Sequence, residues 1–187
     1  LISYSIFNVI KKEFNIDLNK ANFFAGHSLG EYTALSCAGY IKFSDTLKIL
    51  KLRGEAMQNA VPKGIGGMIA ILATTIKKVE NIIFSNKKNC DVQIANDNSE
   101  DQIVVSGKLK DLDFFAEILK SQGIRNIKLP VSAPFHCKLM NEATKKMRNE
   151  INKLEFNMGY NVLMSNVTAN SIENIPDIKN LLIKQIE

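Results

Sequence analysis

The sequence predicts an α/β protein built in two parts, and three observations carry that expectation. An apolar run, Phe23-Phe24-Ala25, meets the turn Gly26-His27-Ser28-Leu29-Gly30, and a helix-like segment follows. The chain breaks at Pro62 to Gly67, where the patterning changes. Beyond the break, strand and helix patterns follow one another as β-α-β-β-α-β up to Val131.

The turn is G-x-S-x-G between a short strand and a helix, the setting in which that pattern works as a nucleophile elbow. Gly26 and Gly30 are small enough for a sharp turn with a helix packed close behind it. Ser28 then sits at a strained bend with its hydroxyl exposed. The helix from Leu29 aims free N–H groups and its positive dipole end at any negative charge forming beside Ser28. The rest of the chain follows in order. Leu1 to Phe14 has apolar residues at Ile2, Ile6, Val9 and Ile10, a helical spacing. Asn15 to Asn22 is polar and turn-like, Phe23 to Ala25 is a short buried strand, and Leu29 to Cys37 is the helix behind the elbow, stopped at Gly39. A second helix starts at Ser44, its N-cap, with Leu47, Leu50, Leu52, Ala56 and Met57 on its apolar side. Arg53 lies within it and, on the residues alone, reads as a solvated surface cation.

Strands are expected at Gly67 to Ala73, Val92 to Asn96, Gln102 to Ser106 and Ile124 to Val131, with helices at Thr75 to Phe84 and Asp111 to Gln122. That order is the ferredoxin-like one. The expected organisation is therefore a hydrolase-like catalytic subdomain with a parallel sheet, residues 1–63 and 130–187, interrupted by a ferredoxin-like subdomain, residues 64–129. Past the insertion, Lys138 to Leu154 reads as a helix, Asn161 to Asn166 as a strand, and Pro176 to Ile186 as a helix.

With 187 residues, the chain can bury one sizeable core or two small ones. A 45% hydrophobic and 23% charged composition is that of a soluble globular protein. No apolar run is long enough to cross a membrane and no signal-peptide pattern opens the chain, so no membrane partner is expected. The first residue is not Met and a helix pattern begins at once, which reads as a fragment. Cys37, Cys90 and Cys137 are odd in number and fit no C-x-x-C spacing. That argues against a disulfide framework or a structural metal site, and for a reducing, cytoplasmic setting. The net charge of +5 is that of a Lys-rich solvated surface or, more sharply read, of attraction to an acidic partner. No basic cluster interleaves with aromatics, so no nucleic acid is expected.

The chain has two histidines. His27 adjoins Ser28 within the elbow and is badly placed to take its proton, so it reads as a structural hydrogen-bonding residue. His136 follows a Pro-containing loop, where functional groups are often placed, and is either a general base or a solvated loop residue. Cys137 reads as a buried thiol rather than a nucleophile.

The longer string GHSLGEYTAL, residues 26–35, resembles the nucleophile motif of malonyl-CoA:acyl carrier protein transacylases and of the acyltransferase domains of fatty acid and polyketide synthases. Four further stretches resemble that family in the same order. They are Arg53-Gly54-Glu55-Ala56-Met57, Asn98 to Gln102 ahead of Val104-Val105-Ser106-Gly107, Val131-Ser132-Ala133-Pro134-Phe135-His136, and Ser165-Asn166-Val167-Thr168. Leu181 to Gln185 resembles the family's Gln-bearing helix. The resemblance implies an α/β fold with the inserted subdomain and ping-pong acyl transfer. Ser28 is then the nucleophile and His136 its base. Arg53 clamps the malonyl carboxylate, reversing its surface reading. The Leu29 backbone N–H is one oxyanion donor, and the Gln185 backbone carbonyl, rather than an acid, orients the histidine. Asn98 either faces the cleft between subdomains or serves turn geometry. Leu29 and Phe135 resemble the malonyl rather than the methylmalonyl pattern.

The implied substrates are malonyl-CoA, a CoA thioester, and phosphopantetheinylated acyl carrier protein, for fatty acid biosynthesis. No bound cofactor or metal is implied, and a monomer is expected. The family's N-terminal G-Q-G loop and C-terminal G-P-G-type turn are not in the sequence, so the resemblance covers only the middle of the domain. A serine esterase or thioesterase, a polyketide-synthase-type acyltransferase domain and a non-catalytic carrier-docking domain stay open as alternatives.

Overall fold

The computed structural model describes residues 1–187. It is an α/β fold with seven helices and seven strands in two sheets. In chain order these are α1 (Ile2–Glu13), β1 (Phe23–Phe24), α2 (Leu29–Cys37), α3 (Phe43–Gln58), β2 (Gly66–Leu72), α4 (Ile76–Asn86), β3 (Val92–Ser99), β4 (Gln102–Lys108), α5 (Leu109–Ser121), β5 (Asn126–Lys128), α6 (Asn141–Lys153), β6 (Val162–Met164), β7 (Ser171–Ile172) and α7 (Ile175–Lys184), with short 3-10 turns at Leu18–Lys20 and Lys138–Met140. No helix is long and apolar enough to cross a membrane. The chain divides into two compact units, residues 1–54 with 146–185, and residues 55–145 with 186–187.

The first unit holds the elbow. Its sheet, in the order β1-β6-β7, is mixed rather than wholly parallel: β1 pairs parallel with β6 and β7 pairs antiparallel. β1 pairs with β6 alone, and Phe23, expected to be buried, is 61% exposed. β7 was not legible, because two residues after a turn carry no period. α2 spans the expected residues and is followed by Gly39 at φ +82°, the left-handed position a helix stop favours. α3 begins at Phe43 rather than after a Ser44 cap, and Leu47 is exposed. The buried face of α3 in this unit is Thr46, Ile49 and Arg53. α7 is capped by Asn174, whose Oδ1 accepts the Asp177 N–H at 2.9 Å, with Pro in the first turn. It buries Ile178, Leu182 and Ile183, one helical stripe.

The second unit is a four-stranded sheet in the order β3-β4-β2-β5, with every neighbour antiparallel. β2 is buried along nearly its whole length and alternates faces. Ile69 and Ile71 join Val79 and Ile82 of α4 and Leu112, Phe115 and Leu119 of α5 in one core. Met68 and Ala70 face the other way with Val104, and Phe135 packs there. β3 runs three residues past its expected end through two register shifts, while β5 is shorter than the apolar pattern suggested. The helix expected from Lys138 starts as a 3-10 turn, with α6 proper from Asn141.

Candidate active site

Ser28 is the last residue of the turn between β1 and α2, at φ 51° and ψ −109°. A non-glycine residue held there stores about 1–3 kcal/mol, sustained by the packing around it. Part of that packing is the glycine pair, since a Cβ on Gly26 would collide with the backbone of Gly30 and Glu31. Ser28 occupies the N-cap position but its side chain makes no capping bond. Its hydroxyl oxygen instead accepts from Arg53 Nη2 at 3.0 Å, and its N–H donates to Asn166 Oδ1 at 2.8 Å. In the first turn of α2, the Gly30 and Glu31 N–H groups donate to the carbonyls of His27 and Ser28. The Leu29 N–H stands at the head of the helix, beside the serine, where an anion is favoured.

Arg53 is 6% exposed, which corrects the surface reading of its residue type. Its guanidinium lies 5.7 Å from the Tyr32 ring centroid, and Nη2 also donates to Gln185 Oε1 at 2.9 Å. Its Nε is buried with no partner. Burial pulls the guanidinium pKa down, opposed by Tyr32 and Glu31, and pushes the Tyr32 phenol up to about 12. Gln185, just past α7, sends Nε2 to the Ser28 carbonyl at 3.0 Å and to Glu31 Oε2. Glu31 is fully buried and accepts the Asn166 N–H on Oε1 at 3.2 Å. Burial raises its carboxyl pKa, and its hydrogen bonds to Asn166 and Gln185 and the charge of Arg53 oppose the rise.

Ser28, Leu29, Arg53 and Gln185 thus belong to the first unit, and the structure links Ser28, Arg53 and Gln185 by direct hydrogen bonds. Glu31 and Asn166 complete that network, although sequence reasoning gave them no role. The available signal was their presence in GHSLGEYTAL and Ser165-Asn166-Val167-Thr168.

His136 belongs to the second unit, at φ 57° in the loop before α6. The sheet of that unit fixes the loop at three points. Pro134 fills the space a Cβ on Gly66 would take, the Phe135 carbonyl accepts from Ser106 Oγ at 2.5 Å, and the Lys138 N–H donates to Gln93 Oε1 at 3.1 Å. Ser28 and His136 are therefore both held at positive φ, as groups at functional sites often are. Cys137 is buried, its thiol donates to the Pro134 carbonyl at 3.2 Å, and burial pushes its pKa up, which suits an inert thiol. His27 is exposed. Asn98 donates to Gln102 Oε1 at 2.9 Å across the β3–β4 turn. No group of three or more His, Cys, Asp or Glu side chains gathers where a metal could be held.

Fold and local geometry define an α/β protein with a serine on a strained strand-to-helix turn and a buried cation on its hydroxyl. The chain belongs to the acyl transferase domain family, which matches residues 19–172. It is 40% identical over 169 residues to the malonyl CoA-acyl carrier protein transacylase of Bacillus subtilis, covering 88% of this chain and 53% of that protein. The crystal structure of malonyl CoA-acyl carrier protein transacylase from Clostridium perfringens superposes with a TM-score of 0.91 at 39% identity, over 99% of this chain and 58% of the other. A malonyl-transacylase solved in complex with a type II PKS acyl-carrier protein gives 0.90 at 32% identity, over 98% of this chain and 59% of the other. The chain spans about half the length of the curated relatives it matches.

Proposed function

We propose that this chain carries the acyl-transfer centre of an enzyme that moves a malonyl group from malonyl-CoA to the phosphopantetheine thiol of acyl carrier protein, for fatty acid biosynthesis. The observation that carries the reading is Arg53, a buried guanidinium on the Ser28 hydroxyl with an unpartnered Nε. A buried donor without an acceptor is costly, and an acyl group ending in a carboxylate supplies the acceptor and the counter-charge together. An acetyl group supplies neither.

His136 takes the Ser28 proton as the serine oxygen attacks the thioester carbonyl. The tetrahedral oxyanion is stabilised by the Leu29 N–H, and its collapse breaks the C–S bond and releases CoA as the thiol. The carrier thiol then attacks the malonyl-serine ester and regenerates Ser28. The Gln185 backbone carbonyl holds the His136 tautomer. A neutral carbonyl suffices to orient an imidazole, though it stabilises imidazolium less than a carboxylate does. The Gly66 to Lys128 segment, with its β2-α4-β3-β4-α5-β5 sequence and β3-β4-β2-β5 sheet, supports a ferredoxin-like subdomain over residues 64–129, inserted into a hydrolase-like one, residues 1–63 and 130–187. The +5 charge suits an acidic carrier. The protein acts without a bound cofactor, as a monomer in the cytoplasm.

The test is intact mass after mixing the protein, extended to its natural termini, with malonyl-CoA or with acetyl-CoA. A malonyl adduct that is absent in Ser28→Ala and shifts toward acetyl in Arg53→Ala is the expected result. No adduct from either donor on a folded protein would overturn the reading.

A further inference from the structure

Ser28-Leu29-Gly30-Glu31 has the spacing of a capping box, in which the N-cap serine and the glutamate three residues on satisfy each other's backbone N–H groups. Neither bond forms. The Ser28 side chain caps nothing, and the Ser28 N–H goes to Asn166 Oδ1 at 2.8 Å. Glu31 is nevertheless fully buried, a placement a carboxylate keeps only where specific donors meet it. Its two oxygens are met from distant parts of the chain, Oε1 by the Asn166 N–H and Oε2 by Gln185 Nε2.

Each of those partners goes on to Ser28. Asn166 turns its side-chain oxygen to the Ser28 N–H. Gln185 has its NH2 hydrogens on Glu31 and on the Ser28 carbonyl, and its oxygen receives Arg53 Nη2, which also reaches Ser28 Oγ. A flipped Gln185 amide would set its NH2 against the guanidinium and its oxygen against two acceptors, so Glu31, the only charged acceptor of the two, acts with the Ser28 carbonyl and the guanidinium to hold the amide one way.

We propose that Glu31 is a positioning residue: through the Gln185 side-chain amide it aims the Arg53 guanidinium, and through Asn166 it holds the Ser28 backbone. It thereby sets the preference for carboxylate-bearing acyl groups. The preference rests on the malonyl-transfer reading, while the aiming of Arg53 does not. Both groups that meet Glu31 are N–H donors, so both its oxygens must accept. Glutamine at this position offers one acceptor and one NH2, and one contact becomes donor against donor. Aspartate keeps both acceptors on a shorter stem. Shape alone favours the glutamine variant, whereas acceptor chemistry favours the aspartate.

The experiment pairs nitrogen-15 NMR of the Arg53 guanidinium and Gln185 amide with the malonyl-to-acetyl ratio of adduct formation, in the parent, Glu31→Gln and Glu31→Asp. Labelling of Ser28 by a neutral sulfonyl fluoride reports the fold and the nucleophile. In the parent, the Gln185 amide and Arg53 Nη2 hydrogens exchange slowly with water. Glu31→Gln releases the Arg53 signals to averaging and lowers the malonyl preference at least about tenfold, the scale of one hydrogen bond to a charged group. It lowers sulfonyl fluoride labelling much less, and Glu31→Asp retains more of the preference than Glu31→Gln. Fast exchange of the Gln185 amide in the parent, or unchanged Arg53 signals in Glu31→Gln, overturns the inference, and the parent measurement stands even if a variant does not fold. A parent that shows the slow exchange and takes no malonyl overturns the malonyl reading and leaves the aiming of Arg53 supported.

Discussion

Gly26 and Gly30 stand so close across the elbow that a side-chain carbon on the first would run into the carbonyl of the second. Backbone cannot yield as a flexible side chain can, so Gly26→Ala must open the turn between β1 and α2. That turn is what holds Ser28 at φ 51°. The expected loss is about 1–3 kcal/mol of stability, the range for overpacking. Sulfonyl fluoride labelling of Ser28 falls with it, read beside a thermal melt. Unchanged melting and labelling would show that the elbow does not depend on this approach.

A second close approach lies at the far end of α2. A Cβ on Gly39 would come within 2.5 Å of the Tyr160 ring, and one on Gly159 would meet the Tyr40 ring. The two glycines receive each other's neighbouring tyrosines, and the Tyr160 N–H to Ala38 carbonyl bond at 2.9 Å closes the pair. Gly39 also sits at φ +82°, where any L side chain is strained. Gly39→Ala is therefore expected to cost more than the ~1 kcal/mol of an ordinary helix-stop substitution, with a denaturant midpoint as the readout. A midpoint within error of the parent would refute it.

The elbow was legible because its information is local: five residues, two of them glycines, flanked by a strand and a helix. The β-α-β-β-α-β order was legible for the same reason, since period and punctuation are short-range signals. Arg53 was not legible from its own surroundings. Of the expected apolar side, Ala56 and Met57 are buried and stand three and four residues from Arg53, while Leu47 is exposed; but an apolar face gives no reason to bury a guanidinium. The partners that justify a buried guanidinium, Ser28 and Gln185, lie 25 and 132 residues away. No window on α3 contains them, and only the resemblance to a known motif pointed there. Glu31 and Asn166 were missed because each acts through contacts more than a hundred residues distant.

Tyr32 is fully buried under the Arg53 guanidinium with its hydroxyl unpartnered. Removing that oxygen leaves the ring in place, so Tyr32→Phe is expected to be neutral or to add up to about 1 kcal/mol at pH 7. The alkaline limb carries the sharper signature. The phenol titrates near 12 in the folded protein against 10.0 in the unfolded chain. Between those values the unfolded chain releases a proton that the folded one keeps, and stability falls as pH rises through that window, by about 2–3 kcal/mol for two units. Cys37, pushed by burial from 9.0 to about 11, adds a fall of the same sign at lower pH. Melting temperature against pH should therefore drop above pH 9 in the parent and drop less above pH 10 in Tyr32→Phe. Parallel curves would contradict the assignment.

His136 combines a chemical role with a backbone position at φ 57°, and the two can be separated by the choice of substitution. Alanine tolerates that region poorly, whereas asparagine is enriched there. His136→Asn keeps a residue suited to the loop and also leaves untouched the Ser106, Gln93 and Gly66 contacts that pin its neighbours. What it removes is the imidazole. If His136 is the base for Ser28, acyl-enzyme formation from malonyl-CoA slows by about a hundredfold to ten-thousandfold, the usual share of general-base catalysis, while the melting temperature stays near that of the parent. A base acts on the rate and not on donor choice, so the malonyl-to-acetyl ratio should hold even as both rates collapse. That separates His136 from Arg53, whose loss moves the ratio. The check is a time course of intact mass with each donor on His136→Asn and Arg53→Ala side by side. A His136→Asn protein that acylates at the parent rate would transfer the role of base to another group.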